Sequence, residues 1–165
     1  MKPASLGIVQ NDKKELLLVQ RRDVKIWVLP GGGIEDNESP EEACIREVAE
    51  ESSVTAKIVR KAATLSPVSK YTSKTHIFFC TTDALQAIPD TTESLAAQFF
   101  PLEKLPSTFF FIHKNWLFEC LHSNTCIERE ITEITPLPAL FFALKHPLIT
   151  GSYLWTRIYE KFFGK

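Results

Sequence analysis

Alternation of apolar and polar positions divides this chain into short extended segments and two helices. Residues 5–10 (SLGIVQ) and 15–21 (ELLLVQR) are apolar-rich runs on either side of Asn11-Asp12-Lys13-Lys14. That arrangement predicts a β-hairpin with a four-residue turn. Residues 26–29 (IWVL) form a short extended piece, stopped by Pro30 ahead of Gly31, Gly32 and Gly33. Consecutive glycines permit backbone conformations and close approaches that a side chain forbids. Ser39 then offers an N-cap, Pro40 suits the first helical position, and Glu42 completes a Ser-x-x-Glu capping box. A helix is expected from 40 to about 52. Residues 54–60 alternate, with Val54, Ala56 and Ile58 on one side, and residues 75–81 are rich in β-formers; both read as strands. A further strand over 96–100 precedes Pro101, and a helix over about 109–121 closes the domain. No internal repeat is visible. The mixture predicts an α+β fold, a sheet covered by helices on both faces.

The remainder departs from that pattern. Residues 1–123 are read as the main domain and 124–165 as a helical extension packed on it. Pro136, Pro138 and Pro147 exclude one long helix there. Ser152 can cap a last helix on which Trp155, Tyr159 and Phe162 form a stripe. A homodimer contact or a peripheral membrane contact through that stripe remains an alternative to packing.

Composition narrows the class. A chain of 165 residues can bury a real core, and 44% hydrophobic with 24% charged residues excludes a disordered chain. The N-terminus MKPASLGIVQ lacks a basic segment followed by an apolar one, and no apolar run is long enough to span a bilayer. Four scattered cysteines (Cys44, Cys80, Cys120, Cys126) without an export signal read as free thiols in a reducing cytoplasm. Cys120, His122 and Cys126 fit no standard zinc-finger spacing, and a fourth ligand is not evident. His113, His122 and His146 read as structural or surface residues. No basic aromatic surface of the kind that binds nucleic acid stably is identifiable.

Charge changes the picture more. The chain carries a net charge of −1, yet Glu35 to Glu51 hold eight carboxylates and one arginine, a local −7 that leaves about +6 elsewhere. Such a patch is either a solvated face or a cation site. At 100° per residue, Glu47, Glu50 and Glu51 fall within one arc of the helix, with Ile45, Val48 and Ala49 opposite. Like charges at that spacing destabilise a helix by roughly 0.2–0.5 kcal/mol per pair. A divalent cation would turn the repulsion into ligation, and an all-oxygen donor set selects Mg²⁺ or Mn²⁺. Arg46 can pair with Glu42 or Glu50, or steady Glu47. For an isolated helix, the solvated face would be the simpler reading.

The helix is not isolated. Residues 32–54, GGIEDNESPEEACIREVAEESSV, resemble the Nudix box, G-x5-E-x7-R-E-U-x-E-E-x-G-U, where U is a bulky aliphatic residue. Gly32, Glu38, Arg46, Glu47, Val48, Glu50, Glu51 and Val54 fall on the pattern, and Ser53 stands where the family has glycine. Residues 6–9, 17–22 and 27–33 are similar to the family's first strands and glycine-rich entry, and 93–106 (ESLAAQFFPLEKLP) to a downstream stretch. The resemblance covers roughly residues 4–121. It implies a Nudix-type α/β/α sandwich, a mixed sheet flanked by helices. It also implies a Mg²⁺-dependent hydrolase (Mn²⁺ a possible substitute) that cleaves a phosphoanhydride bond of a nucleoside diphosphate linked to another moiety. A nucleoside triphosphate is the first substrate expectation, a dinucleoside polyphosphate the second and ADP-ribose or a nucleotide sugar the third. The rival is a non-catalytic Nudix-fold binding module, which would be expected to have lost box carboxylates; none is missing here.

The roles of the box residues and of Glu93 follow from the resemblance alone. The Gly31 carbonyl, Glu50 and Glu51 would ligate the metal. Glu47 would ligate a further metal or take the proton of the attacking water, with Arg46 orienting it. Glu38 would hold the loop against the helix. Glu93 is a candidate for a downstream carboxylate, although Ala96 stands where an acidic residue is frequent. By position and guanidinium chemistry rather than resemblance, Arg21 and Arg22, ending the second strand near the glycine loop, are candidates for phosphate contact, the alternative being an ordinary charged strand end. Tyr71, seventeen residues after Val54, resembles the tyrosine that stacks on adenine in dinucleoside tetraphosphate hydrolases, and Pro67 is placed roughly like the proline of ADP-ribose-cleaving members. Ser53 is expected in the left-handed conformation of a helix C-cap, where a side chain costs on the order of 1 kcal/mol.

Overall fold

The computed structural model describes residues 2–68, 72–90 and 94–133. Strands β1 (Ala4–Asn11) and β2 (Leu16–Arg21) form the expected hairpin. The Asn11 side-chain carbonyl closes its turn by accepting the Lys13 and Glu15 N–H groups, each at 3.0 Å. The hairpin then opens. Its strands share the register Gln10↔Leu16 and part beyond it. β1 pairs in parallel with β6 (Thr75–Thr82) along its length, and β2 pairs antiparallel with β7 (Ser94–Phe100). Into the vacated edge of β1 fits β4 (Gly31–Gly33), with Ala4↔Gly33, Ser5↔Gly32 and Leu6↔Gly31. The short β3 (Trp27–Val28) lies on the far side of β2, and β5 (Lys57–Ser66) lies antiparallel beside β6. The main path through the mixed sheet is β3-β2-β1-β6-β5-β8, the last strand being β8 (Ile127–Glu130).

Alternation along the strands sorts the core into two layers. Leu6 and Ile8 of β1, Leu16 and Leu18 of β2, and Ile77 of β6 face helix α2 (Phe111–His122), whose Ile112, Trp116, Leu117 and Cys120 are buried against them. Val9, Leu17, Phe78 and Cys80 face the opposite way, onto Cys44 and Val48 of helix α1 (Pro40–Ser52). The result is the expected α/β/α sandwich, with α1 and α2 on opposite faces.

Helix α1 starts and stops as the sequence implies. Ser39 Oγ accepts the Glu42 N–H (3.2 Å) while Glu42 accepts the Ser39 N–H (2.8 Å), so the capping box is complete. Its buried face differs from the expected one. Ala43, Cys44, Val48 and Ser52 are buried, Ile45 is partly so, and Ala49 is exposed. The row Cys44–Val48–Ser52, spaced at i, i+4 and i+8, lies on the sheet, and Ser52 tolerates burial by donating its hydroxyl to the Val48 carbonyl at 2.6 Å. Gly7 permits this close approach: a Cβ there would stand 3.0 Å from Val48 Cγ2.

Other boundaries shift for physical reasons. β5 begins at Lys57 rather than 54, because Val54 and Ala56 are buried in the α1-side core as a connector. Phe109, expected in the second helix, instead bridges to Trp27. Past residue 123 the sheet continues: β8 (Ile127–Glu130) pairs in parallel with Ala63–Ser66 of β5, and Ile131 is buried in the α2-side core. The segment after 123 thus opens as a strand. Trp155, Tyr159 and Phe162 lie outside the described residues. Among the described residues no helix is long and apolar enough to cross a membrane.

Ser53 adopts φ 55°, ψ 21°, and its N–H closes the helix onto the Ala49 carbonyl at 2.8 Å. A Cβ in this conformation costs roughly 1–2 kcal/mol, partly offset by the extra unfolded-state freedom that glycine brings. Ser53→Gly is therefore expected to stabilise the fold by about 0.5–1 kcal/mol. A thermal melt at unchanged or lower temperature would show that Ser53 makes contacts worth more than the strain.

Candidate active site

The exposed side of α1, the glycine strand β4 and the loop joining them form one charged assembly with Arg46 at its centre. The Arg46 guanidinium reaches Glu38 through two bonds (Nε to Oε1 2.8 Å, Nη2 to Oε2 3.0 Å). Its Nη2 also donates to the Gly33 carbonyl at 3.0 Å, and its Nη1 to Glu47 Oε1 at 3.0 Å and Glu50 Oε2 at 2.9 Å. All five guanidinium donors are thereby used. Glu38 Oε2 further accepts the Glu35 N–H at 2.9 Å, so the loop before α1 is fastened to the helix through this carboxylate. Arg46 above all, and then the backbone N–H of Glu35, hold the Glu38 carboxyl down to about 2. The same carboxylate, more than Glu47 and Glu50, pushes the Arg46 guanidinium well above its ordinary value. Exposure rises along the row: the side chains of Glu47 and Glu38 are 13% and 14% accessible, that of Glu50 58%.

The glycines explain how a carboxylate row can lie so close to a strand. Gly31 has φ +145°, and a Cβ on it would stand 2.2 Å from the Ser5 carbonyl oxygen. A Cβ on Gly32 would stand 2.5 Å from Glu47 Oε1, whereas at Gly33 the space is open. The Glu47 carboxylate therefore rests directly against the backbone of β4. Beside it, Glu51 Oε2 accepts the Gly31 N–H at 2.8 Å. Immediately upstream, the Pro30 carbonyl accepts the Gly7 N–H (2.9 Å) and the Leu29 N–H donates to His113 Nδ1 (3.2 Å). Burial above all, and then the Arg21 charge, push the His113 imidazole down to about 4, so the ring is neutral and Nδ1 can accept.

The expected residues Gly31, Gly32, Glu38, Arg46, Glu47, Glu50 and Glu51 are thus brought together by α1, β4 and the loop between them. Glu93 and Tyr71 lie outside the described residues. The chain approaching Glu93 runs along the end of α1, where Ile88 and Asp90 donate backbone N–H groups to the Ser52 and Glu51 carbonyls (2.9 and 3.4 Å). Arg21 is engaged by Asp23 (Nε to Oδ1 2.9 Å, Nη2 to Oδ2 2.7 Å), and Arg22 is exposed at the end of β2. His113 is the contributor that sequence reading passed over as structural or surface; no motif marks it. The cysteines are free thiols, and burial pushes Cys120 up to about 12, which disfavours the thiolate a metal needs.

The donor set fits a hard divalent cation. Glu47, Glu50, Glu51 and the Gly31 carbonyl offer only oxygen, which suits Mg²⁺ or Mn²⁺ rather than a softer ion. Among the described residues no three acidic, histidine or cysteine side chains already close around one point. Arg46 and the Gly31 N–H occupy part of the carboxylate row instead.

Comparison with known proteins bears on the family and the fold. The family model of the NUDIX domain matches residues 1–120. A Bacillus subtilis protein assigned as an 8-oxo-dGTP diphosphatase is 36% identical over 99 residues, which is 60% of this chain and 66% of that protein. The match thus spans just under two thirds of that relative's length. Among solved structures, a NUDIX hydrolase from Nitrosomonas europaea is similar with a TM-score of 0.65 at 22% identity, over 79% of this chain and 80% of that one. An ADP-ribose pyrophosphatase from Streptococcus suis gives 0.61 at 23% identity, over 79% and 98%. At such identities the two structures show the shared fold.

The two glycines should answer differently to a methyl group. Gly31→Ala meets backbone at 2.2 Å and keeps an unfavourable φ, so a loss of several kcal/mol in stability, or no folded protein, is expected. Gly32→Ala meets only the end of the Glu47 side chain, which can move, so its melting temperature should fall little. Equal losses for the two variants would contradict this reading of β4.

Proposed function

The chain belongs to the Nudix family, and on that footing we propose that it is a Mg²⁺-dependent hydrolase cleaving a phosphoanhydride bond of a nucleoside triphosphate. The observation that carries the reading is the charge balance around Arg46. One guanidinium meets the carboxylates of Glu38, Glu47 and Glu50, while Glu51 lies beside Gly31. That surface repels a polyphosphate unless divalent cations intervene. The residues that would hold Mg²⁺ are Glu50 and Glu51 with the Gly31 carbonyl, and Glu47 for a further ion or for the proton. When bound, the metal supplies positive charge against the diphosphate oxygens and lowers the pKa of a water molecule.

The chain's own residues supply the rest. Glu47, held between Gly32 and Arg46, takes the proton as water forms its bond to phosphorus. The bond from phosphorus to the bridging oxygen breaks, and its electron pair leaves with the departing phosphate. Arg46 fixes the orientation of Glu47, and Glu38 fixes Arg46. The similarity to a relative assigned to a modified nucleoside triphosphate supports the substrate class. A nucleotide substrate suits a cytoplasmic enzyme.

The test is a nucleotide panel assayed with Mg²⁺ in ¹⁸O-water, locating the label among the products. Glu50→Gln and Glu51→Gln should each lower turnover about 10²–10³-fold, by analogy with loss of other electrostatic stabilisers, while melting close to wild type. Wild-type turnover in either variant at saturating Mg²⁺ would refute the ligand assignment. Failure of the wild type to cleave any nucleotide in the panel would favour a binding module.

A further inference from the structure

We propose that His113, on the opposite face of the sheet from the carboxylates, is a positioning residue that fixes the Gly31 carbonyl. This rests on the metal-dependent reading of the α1–β4 site. Between the end of β3 and the start of β4 the chain runs Leu29-Pro30-Gly31, and these three residues are bound to three different elements. Gly31 N–H donates to Glu51 of α1 (2.8 Å), the Pro30 carbonyl accepts Gly7 N–H of β1 (2.9 Å), and Leu29 N–H donates to His113 Nδ1 of α2 (3.2 Å). The Leu29 residue is fully buried, so its N–H has little access to water and its bond matters. Gly31, with φ +145°, lacks the steric limits that would keep another residue's carbonyl direction fixed. The direction depends on the pairing of β4 with β1 and on the bonds on either side, and His113 supplies one of those upstream.

The imidazole is itself held. It stacks on Trp116 (centroids 5.4 Å apart, planes at 23°) and lies edge-on to Phe110 (5.3 Å, 66°). With Nδ1 accepting, the ring proton sits on Nε2. The ring is thus a rigid acceptor carried by α2, so α2 packing reaches the site through one hydrogen bond. A histidine that only filled the core would need no acceptor at that atom.

His113→Phe keeps an aromatic ring for Trp116 and Phe110 and deletes the acceptor; His113→Gln returns one. In the metal-free protein, amide hydrogen exchange at Leu29 and Gly31 should quicken about fivefold in His113→Phe and recover in part in His113→Gln, since a lost hydrogen bond is worth about 1 kcal/mol. Mn²⁺ binding followed by electron paramagnetic resonance should weaken about five- to tenfold in the Phe variant. The Mg²⁺ concentration for half-maximal turnover should rise by the same factor, with kcat at saturating Mg²⁺ changed less than twofold. Unchanged exchange, or quickened exchange with unchanged Mn²⁺ affinity, overturns the proposal and leaves His113 a packing residue. If the wild type hydrolyses no nucleotide, the hydrolase reading fails alone, because exchange and Mn²⁺ binding still decide the role of His113.

Discussion

The site depends on the five-fold engagement of Arg46. A helix that sets Glu47, Glu50 and Glu51 on one side, after Glu41 and Glu42 in its first turn, accumulates repulsion that capping alone does not offset. Arg46 offsets part of it, and its geometry decides how. A lysine would place three donors on one point; the planar guanidinium spreads five donors over three carboxylates and a carbonyl. Two of those bonds go to Glu38 and one to Gly33, so the same group that separates the helix carboxylates also fastens the loop leading into the helix. Local electrostatics and loop conformation are therefore one constraint, and neither can be altered without the other.

Close backbone approach is the second constraint, and it serves the first. Gly7 lets α1 settle on β1, Gly31 lets β4 lie against Ser5 and Leu6, and Gly32 lets the Glu47 carboxylate rest on the strand. The hairpin that opens after Gln10↔Leu16 leaves β1 a free edge for β4. Strand divergence, which contributes nothing chemically, is what brings three glycines under the acidic helix.

Much of this was legible in the sequence where the determinants are local. Ser39, Pro40 and Glu42 set the start of α1 by their own hydrogen bonds, and Ser53 occupies a left-handed end. The carboxylate row follows from helical periodicity, and Glu38 and Arg46, both on the box pattern, are bonded to each other. What failed to show was set by partners distant along the chain. The buried side of α1 is decided by Gly7 and Cys80, which draw Cys44 and Val48 inward and leave Ala49 outside; periodicity within the helix cannot tell these apart. β8 is a four-residue strand whose pairing partner lies more than sixty positions away, and its alternating charges, Ile-Glu-Arg-Glu, carry no apolar signature. His113 acts through one ring nitrogen on a backbone group eighty-four residues distant, which leaves no local pattern.

The arrangement also bears on how a cation would enter. Glu47 and Glu50 are each bonded to Arg46, and Glu51 to the Gly31 N–H, so an arriving cation competes with bonds already made. Its gain from the carboxylates is reduced by what Arg46 loses. A polyphosphate changes the balance, because its oxygens add ligands for the cation and negative charge that Arg46 and the cation can share. Metal and nucleotide should therefore bind with positive coupling, each raising the affinity for the other by the same factor. On the proposed metal-dependent reading, the arginine that stabilises the acidic helix in the free protein would make tight metal binding conditional on a phosphate-rich ligand.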